Sequence, residues 1–203
     1  MDSPQYRDAF SYCAIKHLRM WEQNEKALHE LLSSSPDEQG IEKALAYFKV
    51  SRTFPGLKKD AKSKFVLESL KQVRAESMLP EAKRVGNLVQ LLEIHFGQEN
   101  LSAASKLLWL TERSPFIIYD NRACVALKKY SPFKANDYAT YCEVWREQFV
   151  KNKFALQAAS SRLMQTGDPF KATCGQNEPV SFVALDWFTE RVFDIYLWER
   201  GGQ

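Results

Sequence analysis

Leu101-Ser102-Ala103-Ala104-Ser105-Lys106-Leu107-Leu108-Trp109-Leu110, then Thr111 to Ser114, then Pro115-Phe116-Ile117-Ile118-Tyr119-Asp120-Asn121-Arg122-Ala123, is the most informative part of the chain. Its first section reads as a helix of small and apolar residues. Ser102, Ala103, Ala104 and Ser105 permit a close backbone approach, and Ser102, Ser105 and Trp109 fall on one face. Lys106 follows Ser102 by four positions, so the two are neighbours one helical turn apart. A tight loop leads into Phe116-Ile117-Ile118-Tyr119, a β-prone run too short to found a sheet alone. The next helix opens at the carboxylate of Asp120 and runs to about Lys128.

Outward from this stretch the chain reads as helix after helix. Phe10, Ala14, Leu18, Trp21, Leu28 and Leu31 approximate helical spacing, predicting one helix that stops at Ser33-Ser34-Ser35-Pro36. A second helix over 36–50 buries Ile41, Leu45 and Phe48, and Thr53-Phe54-Pro55-Gly56 turns the chain. A third carries Phe65, Leu67, Leu70 and Val73. A fourth opens at Pro80 and carries Val85, Leu88, Val89, Leu92 and Ile94. Longer helices are expected over 136–164 and 179–199, with Gly167-Asp168-Pro169 and Gly175-Gln176-Asn177 in the loop between them. With no strong strands, the expected fold is all-α, an irregular helical bundle.

Composition agrees with a buried core. The 203 residues suit a single domain over 1–203, or two small lobes sharing a core with a cleft near 95–125. Hydrophobic residues make up 45% and charged residues 26%, so disorder is expected only at the ends. No apolar run approaches the ~20 residues needed to span a bilayer. Met1-Asp2-Ser3-Pro4 lacks the pattern of a secretory signal, so a cytoplasmic location is expected and no membrane partner. Cys13, Cys124, Cys142 and Cys174 lie far apart and read as buried free thiols, not as a disulfide framework or an iron–sulfur site. His17, His29 and His95 are scattered without a ligand partner at metal spacing, so no metal and no cofactor are expected.

Net charge is +3, which permits nucleic-acid binding without arguing for it. Two stretches, 57–84 and 128–171, each carry eight Lys/Arg against four Asp/Glu and could present a phosphate-binding face. Solvated helix surfaces account for them equally well.

The Ser-Lys helix followed by Ile-Tyr-Asp resembles the core of the helix–hairpin–helix DNA glycosylase superfamily. It is most similar to a bacterial group of small 8-oxoguanine DNA glycosylase-like proteins. Arg191-Val192-Phe193-Asp194-Ile195-Tyr196-Leu197-Trp198 also looks like that group. The resemblance implies that Asp120 is the essential aspartate at a helix start. There it stabilises the positive charge that develops on the sugar as a flipped-out base departs. Bifunctional members carry a Schiff-base lysine eighteen residues before that aspartate. Here the position is Ser102, and members with serine there use water. Lys106, one turn on, would serve as Schiff-base amine or as a phosphate contact. The amine role requires it to shed its proton.

The resemblance further implies that Arg122, Trp109, Ser105 and Trp187 contact the nucleic acid or the base. The expected partners are DNA or a modified nucleotide, and other proteins of a bacterial antiphage operon that contains cyclic-oligonucleotide synthases. The hairpin departs from the family pattern. Phe96-Gly97-Gln98-Glu99-Asn100 holds one glycine and an acid where glycine amides normally grip phosphate.

Each residue also has a plain structural reading. Asp120 caps a helix, Lys106 is a surface cation with a packed stem, Trp109 and Trp187 are core, and Arg122 pairs with an acid. Three functions therefore stand side by side: a glycosylase with or without lyase activity, a non-catalytic binder of a modified nucleotide or partner protein, and a helical adaptor.

Overall fold

The computed structural model describes residues 4–57, 62–165 and 181–202. The expected loop elements Gly167-Asp168-Pro169 and Gly175-Gln176-Asn177, the expected helix start at Pro179, and Cys174 lie outside the described residues. The described chain is helical throughout, with no strand. No described helix is long and apolar enough to cross a membrane.

The helices are α1 (Pro4–Met20), α2 (Lys26–Ser34), α3 (Glu38–Tyr47), α4 (Lys62–Ala75), α5 (Glu81–Phe96), α6 (Leu101–Glu112), α7 (Asn121–Leu127), α8 (Tyr138–Gln165) and α9 (Asp186–Arg200). Two sequence expectations change in detail. The single first helix is interrupted by a π-helical turn over Trp21–Glu25, which separates α1 from α2. The C-terminal α-helix begins at Asp186, after a 3₁₀ turn over Ser181–Ala184. Phe116–Tyr119 is neither helix nor strand.

The chain divides into two compact units. A central unit comprises Glu25–Asp120 and Lys134–Cys142; a terminal unit comprises Met1–Asn24, Asn121–Phe133 and Glu143–Gln203.

In the central unit α6 is the core helix. Leu101 and every residue from Ala103 to Thr111 are buried. A helix buried on all sides must be covered by neighbours, and α2 and α5 pack most extensively on it, with α3 and α4 adding smaller contacts. Its small N-terminal residues explain the tight fit, since Ala104 and Ser105 are both fully buried. The covering helices present apolar residues at helical spacing: Ile41, Ala44 and Leu45 on α3, Val66, Leu70 and Val73 on α4, and Val85, Leu88 and Leu92 on α5. The Asp37 carboxylate caps α3 by accepting from Gly40 N–H at 2.6 Å. Gly97, at φ 64°, ends α5 in the left-handed conformation and turns the chain directly into α6.

One buried cation ties these helices together. The Arg84 guanidinium, 3% exposed, donates to both Glu112 oxygens at 2.9 and 2.6 Å and to Val73 O at 3.3 Å. It also lies 4.8 Å from the Phe116 ring centroid. The bidentate pairing and the carbonyl together satisfy a charge that would otherwise be costly to bury.

In the terminal unit α9 plays the corresponding part, with Phe188, Thr189 and Arg191–Leu197 all buried. It packs on α1 and α7. Trp145 Nε1 donates to Asp194 at 2.8 Å and Phe10 packs on Tyr196. A Cβ on Gly201 would fall 1.7 Å from the Arg122 carbonyl, so only glycine fits where the end of α9 crosses that backbone.

Cys13, Cys124 and Cys142 are buried thiols outside any disulfide. Burial, reinforced by Glu199, pushes the Cys13 thiol up to about 12, which leaves it protonated and unreactive.

Candidate functional site

Three of the residues marked in the sequence meet at the start of α6. Lys106 Nζ donates to Ser102 Oγ at 2.8 Å and to Asp120 Oδ2 at 3.1 Å. The first contact follows from helical spacing, since residues four apart share a face. The second is long-range in structure though only fourteen residues apart in sequence. It requires the chain to leave α6, turn, and run back along it. The ammonium also sits 5.6 Å from the Phe48 ring centroid, at the end of α3, which adds a cation–π contact.

Burial makes this arrangement unusual for a lysine. Its side chain is 8% exposed, against 24% for that of Asp120. A buried ammonium must be paired and hydrogen-bonded, and Ser102 and Asp120 supply both requirements. The more exposed carboxylate marks the side from which solvent reaches the pair.

Asp120 is delivered by Phe116–Tyr119, whose backbone is held at Ile117, Ile118 and Tyr119 by side-chain hydroxyls. Tyr138 Oη accepts from Ile117 N–H at 3.1 Å and donates to Ile117 O at 2.8 Å. Tyr141 Oη donates to Ile118 O at 2.9 Å. Ser105 Oγ accepts from Tyr119 N–H at 3.0 Å and donates to Ser102 O at 3.2 Å. Tyr119 Oη in turn accepts from Asn136 N–H at 2.9 Å. A segment outside helix and sheet has no backbone ladder to satisfy its buried amides and carbonyls; here side-chain hydroxyls satisfy Ile117 N–H and O, Ile118 O and Tyr119 N–H. Burial pushes the Tyr138 phenol well above its usual range, so it remains a neutral hydroxyl able both to donate and to accept.

The other marked residues contribute no side chain to the Lys106–Ser102–Asp120 hydrogen bonds. Ser105 is fully buried with its hydroxyl engaged by backbone, and Trp109 is 3% exposed inside the core. Neither presents a surface to a ligand in this conformation. Arg122 and Trp187 belong to the terminal unit. The Arg122 guanidinium lies 4.2 Å from the Trp198 ring centroid. Trp187 joins an aromatic cluster with Trp21 at 4.6 Å, Phe182, Phe188 and the buried His17. No group of three or more His, Cys, Asp or Glu side chains suited to a metal ion occurs among the described residues.

The turn between α5 and α6 is short and acidic. Glu99 accepts from Asn136 Nδ2 at 2.8 Å, and Asn100 Nδ2 donates to Gln98 O. Sequence reasoning passed over Phe48 except as core, and it passed over Tyr138 and Tyr141 altogether. The spacing of these two tyrosines by three on one helix face, near the apolar run they fasten, was the available signal.

Chemically, the cluster offers an amine, a hydroxyl and a carboxylate within one hydrogen-bonded group, with the carboxylate positioned to take a proton from the amine. No protein-family model, no curated protein and no solved structure matches this chain.

Proposed function

We propose that this protein is an N-glycosylase that excises a modified, guanine-type base from DNA or a nucleotide, with Lys106 and Asp120 as its reacting groups. The single observation that carries the reading is the buried Lys106 ammonium held between Ser102 Oγ and Asp120 Oδ2. Burial strips water from the amine, and Asp120 offers an acceptor for its proton. The role in antiphage defence rests on the sequence resemblance alone.

In the amine route Asp120 takes one proton from the Lys106 ammonium. The freed Nζ lone pair attacks C1′ as the C1′–N bond to the base breaks. The electron pair of that bond goes to the base, which takes the proton held by Asp120 as it leaves. Ring opening then sends a second Nζ proton to the sugar ring oxygen, leaving a protonated imine between Nζ and C1′. Once the first proton has passed on to the base, Asp120 is again an anion and stabilises the positive charge carried by the C1′–Nζ adduct. In the water route Lys106 stays an ammonium, and Asp120 activates a water beside Ser102.

The test is strand cleavage of an oligonucleotide bearing one 8-oxoguanine. Cleavage without alkali, lost in Lys106→Ala and retained in Ser102→Ala, supports the amine route. Cleavage only after alkali supports the water route. Absence of base release from single-stranded, duplex and mononucleotide substrates alike overturns the glycosylase reading.

One observation favours a second reading, a non-catalytic binder of a modified nucleoside. Glu99 places a carboxylate in the α5–α6 turn, where an approaching phosphate would be repelled. Binding of a modified nucleoside without base release would identify it.

A further inference from the structure

The Lys106–Asp120 contact joins two segments, α6 and the 116–119 run that leads into Asp120. Ser105 bridges them. It is fully buried, and its hydroxyl bonds both to the carbonyl of Ser102, on the turn that carries the Lys106 contact, and to the amide of Tyr119, the residue before Asp120. One small side chain therefore fixes the distance between the helix that supplies the amine and the backbone that supplies the acid. Tyr138 and Tyr141 hold the two residues upstream, but neither touches α6 through these bonds.

We infer that Ser105 is a positioning residue that sets the Lys106–Asp120 gap. The inference concerns the site of the proposed glycosylase and rests on that reading only for its catalytic consequence. Replacing the hydroxyl with hydrogen leaves the Tyr119 amide without its acceptor. The 116–119 run then shifts away from α6, and the ammonium loses its fixed carboxylate.

The experiment compares Ser105→Ala with Ser69→Ala in the full chain. Ser69 is another buried serine of the central unit, on α4, and its variant controls for general loosening. The first readout is the side-chain ¹⁵N signal of Lys106, assigned by its disappearance in Lys106→Arg, and needs no substrate. The slowly exchanging ammonium signal of the wild type is expected to be lost in Ser105→Ala and kept in Ser69→Ala. Its survival in Ser105→Ala, or its loss in both variants, overturns the inference.

The second readout is the rate of borohydride trapping on an abasic oligonucleotide. Ser105→Ala is expected to lower the rate at saturating oligonucleotide by about a hundredfold, the scale of an ångström-sized misplacement, with half-saturation unchanged. An unchanged saturating rate overturns the inference. If the wild type itself traps nothing, the amine route has failed, and the ammonium signal still decides the role of Ser105.

Discussion

Lys106 and Asp120 form an ion pair in which the cation is the buried partner and the anion the more exposed one. That asymmetry predicts unequal costs. Removing Asp120 strands an ammonium away from water, whereas removing Lys106 leaves a carboxylate that water can reach. Asp120→Ala should therefore destabilise the fold more than Lys106→Met in urea titration. A double-mutant cycle should return a coupling of about 1–3 kcal/mol. Equal costs and zero coupling would show that the pair is not formed in solution.

Arg84 and Glu112 make the same argument deeper in the central unit. Glu112→Ala leaves a 3%-exposed guanidinium with only carbonyl and ring contacts. A loss of about 3–5 kcal/mol is expected, the usual cost of breaking a buried pair from one side. Replacing Lys151 or Glu147, an exposed pair on α8, should cost less than about 1 kcal/mol. Chemical denaturation of the two variants side by side checks the contrast.

The tyrosine fastenings differ in number, and so should their variants. Tyr138→Phe deprives Ile117 of both its amide and its carbonyl partner, whereas Tyr141→Phe deprives Ile118 of one. At about 1–3 kcal/mol for each buried group left unsatisfied, Tyr138→Phe should be the more damaging. Hydrogen exchange at the Ile117 amide should rise in Tyr138→Phe and stay protected in Tyr141→Phe.

His29 provides the pH test. Burial lowers the pKa of its imidazole below the ordinary 6.5, against a hydrogen bond to Leu110 O that raises it, with Arg113 adding a lowering effect. The unfolded chain therefore takes up the proton first as pH falls. Stability contributed by neutral His29 is complete above that ordinary value and declines as pH drops through it toward the lower folded value. Melting temperature should fall between about pH 7 and pH 5 more steeply in the wild type than in His29→Gln, which offers an amide donor without the charge. Parallel curves would contradict this.

Much of this architecture is visible in the amino-acid order because helical periodicity is local. Val85, Leu88, Leu92 and the turn at Gly97 mark α5 and its end directly, and Ser102 and Lys106 meet because they are four apart. The meeting of Lys106 with Asp120 is of another kind. Periodicity says nothing about how the chain returns after Glu112, and only the resemblance to glycosylases pointed there. The fastening of Phe116–Tyr119 was not legible either. A short β-prone run suggests a strand, yet its hydrogen bonds are satisfied by hydroxyls from α6 and α8, and no backbone pattern records that. Ser105 illustrates the difference. As a polar residue on a face with Ser102 it reads as a ligand contact, and in the fold it is buried mortar between two segments.

The most direct measurement is peptide mass mapping of the wild-type protein after borohydride reduction in the presence of an 8-oxoguanine oligonucleotide. One sugar-derived adduct is expected, on the α6 peptide at Lys106, and none in Asp120→Asn. An adduct on another lysine, or one on Lys106 that persists undiminished in Asp120→Asn, would contradict the amine route.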